Sequence, residues 1–275
     1  FALRSFSVVM LLLGPYQDRM GTHITAITNQ KGGVGKTTTS INLGAALALH
    51  EKRTLLIDLD PQANATSGLG LDKHGDKSIY PVLVDGLPAS GAIQPSEVEG
   101  LDVIASTLDL AGAEIEIARG DDILNRLRKA LQPIRDAGTY DVILLDCPPS
   151  LGLLTLNCLS AADSILVPLQ CEYYALEGLS VIMDMVIKVQ ESSNSGLRLD
   201  GVVFTMFDTR TNLSKDVVDE VRNHFQDGLY KTMIPRNVRL SEAPSHGQDI
   251  FTYDSSSLGA GAYDRLADEF IGRNL

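Results

Sequence analysis

The chain has 275 residues, 44% hydrophobic and 21% charged, enough for a sizeable packed core and inconsistent with a disordered acidic polymer. It has no Trp and only 5% aromatics, which argues against a nucleic-acid surface built on base stacking. The balance of 23 basic against 35 acidic residues, a net −12, argues against a broad basic nucleic-acid binder.

In chain order, the apolar stretch Ser7 to Leu13 lies between Arg4 and Gly14-Pro15. It has a signal-peptide flavour, but it is short, no small-residue cleavage site follows, and it cannot span a bilayer. The folded domain is expected to start near Met20. Residues 1–19 are expected to be an upstream remnant or a flexible arm, and residues 20–275 one domain. No other apolar run reaches 18 residues, so no transmembrane helix is expected.

His23–Asn29 reads as a first strand, followed by a Gly-rich turn and a helical stretch Thr37–His50. Arg53–Leu59 is an apolar strand closed by Pro61. Asp72–Gly100, with four Gly and three Pro, reads as irregular structure with a short helix. Leu101–Ala105 looks like a strand, and Asp121–Arg135 like an amphipathic helix with Ile123, Leu124, Leu127 and Leu131 on one side. Tyr140–Leu145 is apolar without alternation, which suggests a strand buried on both faces of a parallel sheet. Ser164–Leu169, Gly201–Phe207 and Leu229–Ile234 repeat that theme, with helical stretches between. The alternation predicts an α/β fold, a doubly wound, mostly parallel sheet flanked by helices. Cys147, Cys158 and Cys171 form no CxxC pair and have no neighbouring His, so they read as reduced core residues of a cytoplasmic protein.

The segment Lys31-Gly32-Gly33-Val34-Gly35-Lys36-Thr37-Thr38 follows a strand and opens a helix, the setting of a phosphate-binding loop. Its glycines let backbone N–H groups turn toward phosphate oxygens, and the helix N-terminus adds a positive dipole end. Lys36 can reach the β- and γ-phosphates of ATP, and the Thr37 hydroxyl can ligate Mg²⁺. The usual P-loop pattern is not met: Gln30 stands where the first glycine belongs, and a second lysine, Lys31, precedes Lys36 by five residues. Asp58 and Asp60, two apart at a strand end, face one side, and Asp146 ends another apolar strand. Ligands of open α/β sheets bind beyond such strand ends, so these carboxylates are expected to meet the loop. By their chemistry, Asp146 would hold Mg²⁺ through water and Asp58 would support the metal shell. Asp60 would position the attacking water or accept its proton.

Five segments in order then resemble the ParA/Soj chromosome-partitioning ATPases of the deviant Walker A group, which also contains MinD. They are Lys31–Thr38, Asp58-Leu59-Asp60-Pro61-Gln62, Asp146-Cys147-Pro148-Pro149-Ser150, the stretch 167–174, and Ile234 to Pro244. The resemblance runs from about Met20 to the C-terminus. It implies that Lys31 reaches the partner's phosphates in a nucleotide-sandwich homodimer, and that Lys36 and Thr37 are the Walker A lysine and Mg²⁺ ligand. It also implies that Asp60 is needed for hydrolysis and that Pro235 and Asn237 border the adenine. It further implies non-specific double-stranded DNA binding by the ATP dimer, with Arg210 and Arg239 as contacts. Hydrolysis would be stimulated by a ParB-like centromere-binding partner, at the nucleoid.

A MinD-like membrane ATPase would end in a basic amphipathic helix, whereas Ala262–Leu275 carries Asp264, Asp268 and Glu269 against Arg265 and Arg273. Membrane attachment is therefore not expected. An Fe–S carrier of the same group lacks its paired cysteines here. A ParA-like ATPase that positions a plasmid or protein cargo stays open, since cargo is chosen by the partner. The charge is uneven as well. Residues 198–246 hold seven basic and seven acidic side chains, leaving 16 basic against 28 acidic elsewhere, so the deficit lies outside the segment with Arg210 and Arg239. Pairing two such segments in a dimer would give weak, salt-sensitive DNA binding.

Overall fold

In the computed structural model, residues 21–172, 174–225 and 228–275 are described. The expectations for residues 1–19 lie outside them. The chain runs β1 (His23–Ile27), α1 (Lys36–Leu49), β2 (Thr54–Asp58), α2 (Asn64–Gly68), α3 (Ile79–Val84), β3 (Ile93–Pro95) and β4 (Leu101–Ile104). It continues through α4 (Leu110–Ala118), α5 (Arg126–Ala137), β5 (Val142–Asp146), α6 (Leu153–Ala161), β6 (Ser164–Gln170), α7 (Ala175–Ser192) and β7 (Arg198–Phe207). The last elements are α8 (Asn212–Phe225), β8 (Leu229–Pro235), α9 (Val238–Glu242), α10 (Ile250–Asp254) and α11 (Leu258–Asn274).

One eight-stranded sheet has the order β3-β4-β2-β5-β1-β6-β7-β8. Each pairing is parallel except that of β3 with β4. Continuous apolarity in β2 and β5 has the expected cause, because alternate residues serve two cores. Leu55, Ile57, Ile143 and Leu145 pack under α4 to α7. Leu56, Val142 and Leu144 face the opposite layer, where α1 contributes Ile41 and Leu47 and α11 contributes Tyr263, Leu266 and Phe270. Each fully buried Leu, Ile or Phe stabilises the fold by about 1.5–3 kcal/mol. The acidic tail helix thus spends its apolar face on the core. Among the described residues, no helix is long and apolar enough to cross a membrane.

The structure departs from the sequence expectation in several places, among them α2 and α4, which form where no element is expected. The segment read as irregular also contributes the antiparallel edge strand β3, which three residues ending in Pro could not announce. The helix expected over Asp121–Arg135 begins only at Arg126 and runs to Ala137. Asp122 adopts a left-handed φ of 55° and accepts a 2.6 Å hydrogen bond from Asn125, forming a turn that delays the helix. Pro133 lies in an exposed position near the end of α5.

The topology decides where a ligand can sit. β1 is flanked by β5 on one side and β6 on the other, so the chain departs in opposite directions around it. A crevice opens at such a switch point, at the carboxyl ends of the strands. The loop after β1 lies there.

Candidate active site

Residues Asn29 to Gly35 turn from β1 into α1. Gly33 and Gly35 have φ of 75° and 86°, values that a side chain would strain. A Cβ on Gly33 would meet nothing within 4 Å, so the backbone there faces open space. The loop is braced from outside. Asn29 Nδ2 donates to the Pro168 carbonyl at 2.8 Å, and its Oδ1 accepts from the Lys31 N–H at 3.0 Å. Thr205 Oγ1 donates to the Val34 carbonyl at 2.7 Å. These bonds fix the loop before any ligand arrives, which lowers the ordering cost of binding.

A cavity of about 520 Å³ opens over the loop, within the roughly 300–1,000 Å³ usual for small-molecule sites. Gly32, Gly33, Gly35, Lys36, Thr37, Thr38 and Asp60 line it. Pro235 and Asn237 line it too, beside Ile234, Arg236, Leu240 and Tyr263. Asn237 also caps α9, its side-chain oxygen accepting from the Arg239 N–H at 2.8 Å. Val34 is buried beneath the loop.

Lys36 is buried and donates to the Lys31 carbonyl at 3.1 Å. Burial pulls its ammonium below the ordinary value, while Asp146 and Asp60 act in the opposite direction. Lys31 is exposed at the rim and pairs with Glu172 of the segment after β6.

Asp58 and Asp146 end β2 and β5 as register partners, and both are fully buried. Burial lifts Asp146 well above the ordinary carboxylate range, with Asp58 adding to the rise and the Ser40 and Thr37 hydroxyls pulling it back. Burial lifts Asp58 as well, against the donors of Thr66 and Asp60. Asp146 Oδ1 accepts from Ser40 Oγ at 2.8 Å, but its buried Oδ2 has no hydrogen-bond partner. Leaving such an atom unpaired costs about 1–3 kcal/mol, so it calls for a partner that the chain does not supply. A hard cation fits: an orphaned carboxylate oxygen and the Thr37 hydroxyl are the oxygen donors that Mg²⁺ prefers.

The structure thus brings together the P-loop residues, Asp60, Pro235 and Asn237 around one cavity, with Asp146 and Asp58 beneath it. Arg210 and Arg239 do not line it. Arg210 is exposed and grips Asp208 through two guanidinium bonds of 2.9 and 2.7 Å. Arg239 is exposed and pairs with Glu242 at 2.9 Å and Asp254 at 3.4 Å.

Sequence reasoning missed several members. Ser40 lies four residues after Lys36 and so on the same helix face, a signal that was available. Asn29 stands two residues before Lys31. Thr205, Met206 and Arg236 enter the cavity from the ends of β7 and β8, which only the strand order brings near.

The AAA domain family matches residues 22–199. The sporulation initiation inhibitor protein Soj of Bacillus subtilis is 56% identical over 247 residues, 90% of this chain and 97% of that protein. The chromosome partitioning protein ParA of Myxococcus xanthus is 50% identical, covering 91% of this chain and 88% of that one. Among solved structures, cobyrinic acid a,c-diamide synthase of Mycobacterium smegmatis with bound ADP and magnesium superposes with a TM-score of 0.77 at 36% identity. That match covers 91% of this chain and 94% of that one. The cell division ATPase MinD of Pyrococcus furiosus, at 24% identity and a TM-score of 0.75 over 91% and 98% of the two chains, shares the fold. With a phosphate loop, its carboxylates and an identity of this level over nine-tenths of its length, the chain belongs to the Soj/ParA family of chromosome-partitioning ATPases.

Proposed function

We propose that this chain hydrolyses ATP with Mg²⁺ and uses the cycle to switch a homodimer on and off double-stranded DNA during chromosome partitioning. The observation that carries this is the single cavity joining the loop glycines, Lys36, Thr37 and Asp60 at the carboxyl ends of parallel strands.

In this proposal the N–H groups of Gly32 to Thr38 cradle the phosphates, and Pro235 and Asn237 border the adenine. Lys36 offsets charge on the β- and γ-phosphates. Thr37 and Asp146 would hold Mg²⁺, with Asp58 supporting them from below. Bound there, the metal neutralises phosphate charge and orients the γ-phosphoryl group. Asp60 lies at the cavity wall, where it positions a water or takes its proton. Lys31, exposed at the rim, exchanges Glu172 for the phosphates across a dimer and completes the charge neutralisation.

Arg210 and Arg239, exposed outside the cavity, are the proposed phosphate contacts to non-specific DNA. A ParB-like partner stimulates turnover at the nucleoid, in the cytoplasm. Residues 20–275 act as one ATPase domain. The test is steady-state turnover of the full chain with and without duplex DNA and a cognate ParB-like protein. Low basal turnover that rises only with both supports the proposal; identical turnover in all four mixtures overturns the partner-stimulated cycle.

A further inference from the structure

Asp60 is held by more than its own turn. Its N–H donates to Asp58 Oδ1 at 3.1 Å, and its carbonyl accepts from Ser106 Oγ at 2.7 Å. The Ser106 N–H donates to Thr66 Oγ1 at 2.9 Å. Thr66 Oγ1 donates in turn to Asp58 Oδ2 at 2.7 Å, which also accepts from the Thr66 N–H at 2.8 Å. The bonds close a ring, Asp58 to Thr66 to Ser106 to Asp60 and back. Asp58, Thr66 and Ser106 have no exposed surface, and neither Thr66 nor Ser106 lines the cavity.

The ring joins three elements. Asp58 ends β2, Thr66 lies in α2, and Ser106 follows β4. One hydroxyl, that of Thr66, spends its only proton on Asp58 and a lone pair on Ser106. The turn that carries Asp60 needs such support. Ala63, whose N–H bonds the Asp60 carbonyl at 2.8 Å, adopts a left-handed φ of 51°. That conformation is unfavourable for a residue with a Cβ and persists when the surroundings over-determine it.

We infer that Thr66 and Ser106 are positioning residues for the hydrolytic step, locking the Asp60 backbone so that its carboxylate stands at a fixed place over the phosphate loop. The inference rests on the proposed role of Asp60. Ser106 bonds Asp60 directly and Thr66 acts through Asp58 and Ser106, and neither reaches the cavity, so the effect falls on turnover and not on nucleotide binding.

The test compares Ser106→Ala, Thr66→Val, Thr66→Ser and Asp60→Ala in the full chain. The readouts are kcat with Mg-ATP, the Kd for a fluorescent ATP analogue, and thermal melting. A misplacement of order 1 Å costs about 100-fold, so kcat should fall about 10- to 100-fold in Ser106→Ala and Thr66→Val. The Kd should stay within about twofold, because the loss falls on the transition state alone. Thr66→Ser keeps the hydroxyl and should recover most of the turnover. Wild-type kcat in Ser106→Ala and Thr66→Val overturns the inference, and so does a Thr66→Ser as poor as Thr66→Val. An equal loss of kcat and affinity overturns it as well. If Thr66→Val does not fold, Ser106→Ala decides, since it deletes a single oxygen. Asp60→Ala separates the two layers: full turnover there defeats the proposed role of Asp60 and this inference with it. An inactive Asp60→Ala beside a fully active Ser106→Ala defeats the positioning inference alone.

Discussion

Asp58 and Asp146 face each other in register across β2 and β5, two fully buried carboxylates on neighbouring parallel strands. They are not equivalent. Asp58 accepts from Asp60 and from both donors of Thr66, whereas Asp146 keeps one oxygen unpaired. The first is structurally committed and the second is available for a cation.

That asymmetry predicts the behaviour of Asp146→Asn. The amide cannot replace a carboxylate toward Mg²⁺, so turnover should fall about 10- to 100-fold, the usual cost of disturbing the support of a metal. In metal-free buffer the same variant should melt no lower than wild type, because burial already disfavours the charged form of Asp146 and the amide carries no charge to desolvate beside Asp58. Thermal melting in EDTA alongside an ATPase assay checks both halves. Wild-type turnover would remove Asp146 from the metal site.

Asp60 and Lys31 can be separated by assembly state. Asp60→Ala should bind ATP and lose at least about 100-fold in turnover, since it acts on the water and not on the phosphates. Light scattering should then show an ATP-dependent dimer. Adding Lys31→Ala should return that protein to a monomer, at little cost to folding, because an exposed ion pair such as Lys31–Glu172 is worth about 0–1 kcal/mol. A monomeric Asp60→Ala protein with saturating ATP would rule out the sandwich.

Arg210→Ala and Arg239→Ala should weaken DNA retention while nucleotide affinity stays unchanged. Each removes a cation and leaves its carboxylate behind, Asp208 in one case and Glu242 with Asp254 in the other. Because each subunit then neutralises one phosphate fewer, the slope of log affinity against log salt should shrink by about 2 for a dimer. Binding titrations on non-specific duplex at several salt concentrations measure it.

A pH effect on stability follows from the far end of the sheet. Asp200 is buried, accepting from Tyr230 Oη at 2.5 Å and Asn274 Nδ2 at 3.0 Å, with Arg273 stacked 4.1 Å from the Tyr230 ring. Burial lifts its pKa above the usual carboxylate range against those donors. A raised folded-state pKa means that the native state holds the proton longer. The contribution is full below the unfolded value of about 3.9 and is lost as pH rises through the folded value. Asp200→Asn should remove that decline, so melting curves of wild type and variant should diverge upward from about pH 4. Parallel curves would show that Asp200 does not titrate in this way.

Much of this protein is legible in its sequence. Lys31 to Thr38 announce a phosphate loop because glycines and lysines at that spacing, between a strand and a helix, have few other uses. The unbroken apolar run before Asp146 announces a strand covered on both faces, which the two cores on either side of β5 bear out. What decides these features lies within a few residues along the chain: side-chain period, backbone freedom and the chemistry of a short motif.

The tertiary structure decided what depends on residues far apart in sequence. β5 inserts between β1 and β2, and this alone sets Asp146 against Asp58. Ser106 reaches Asp60 across 46 residues, and Thr205 reaches Val34 across 171. No local pattern encodes such pairings, because a strand's neighbours are chosen by which faces must be buried together and not by its own sequence. The orphaned oxygen of Asp146 and the ring around Asp60 exist only once that choice has been made.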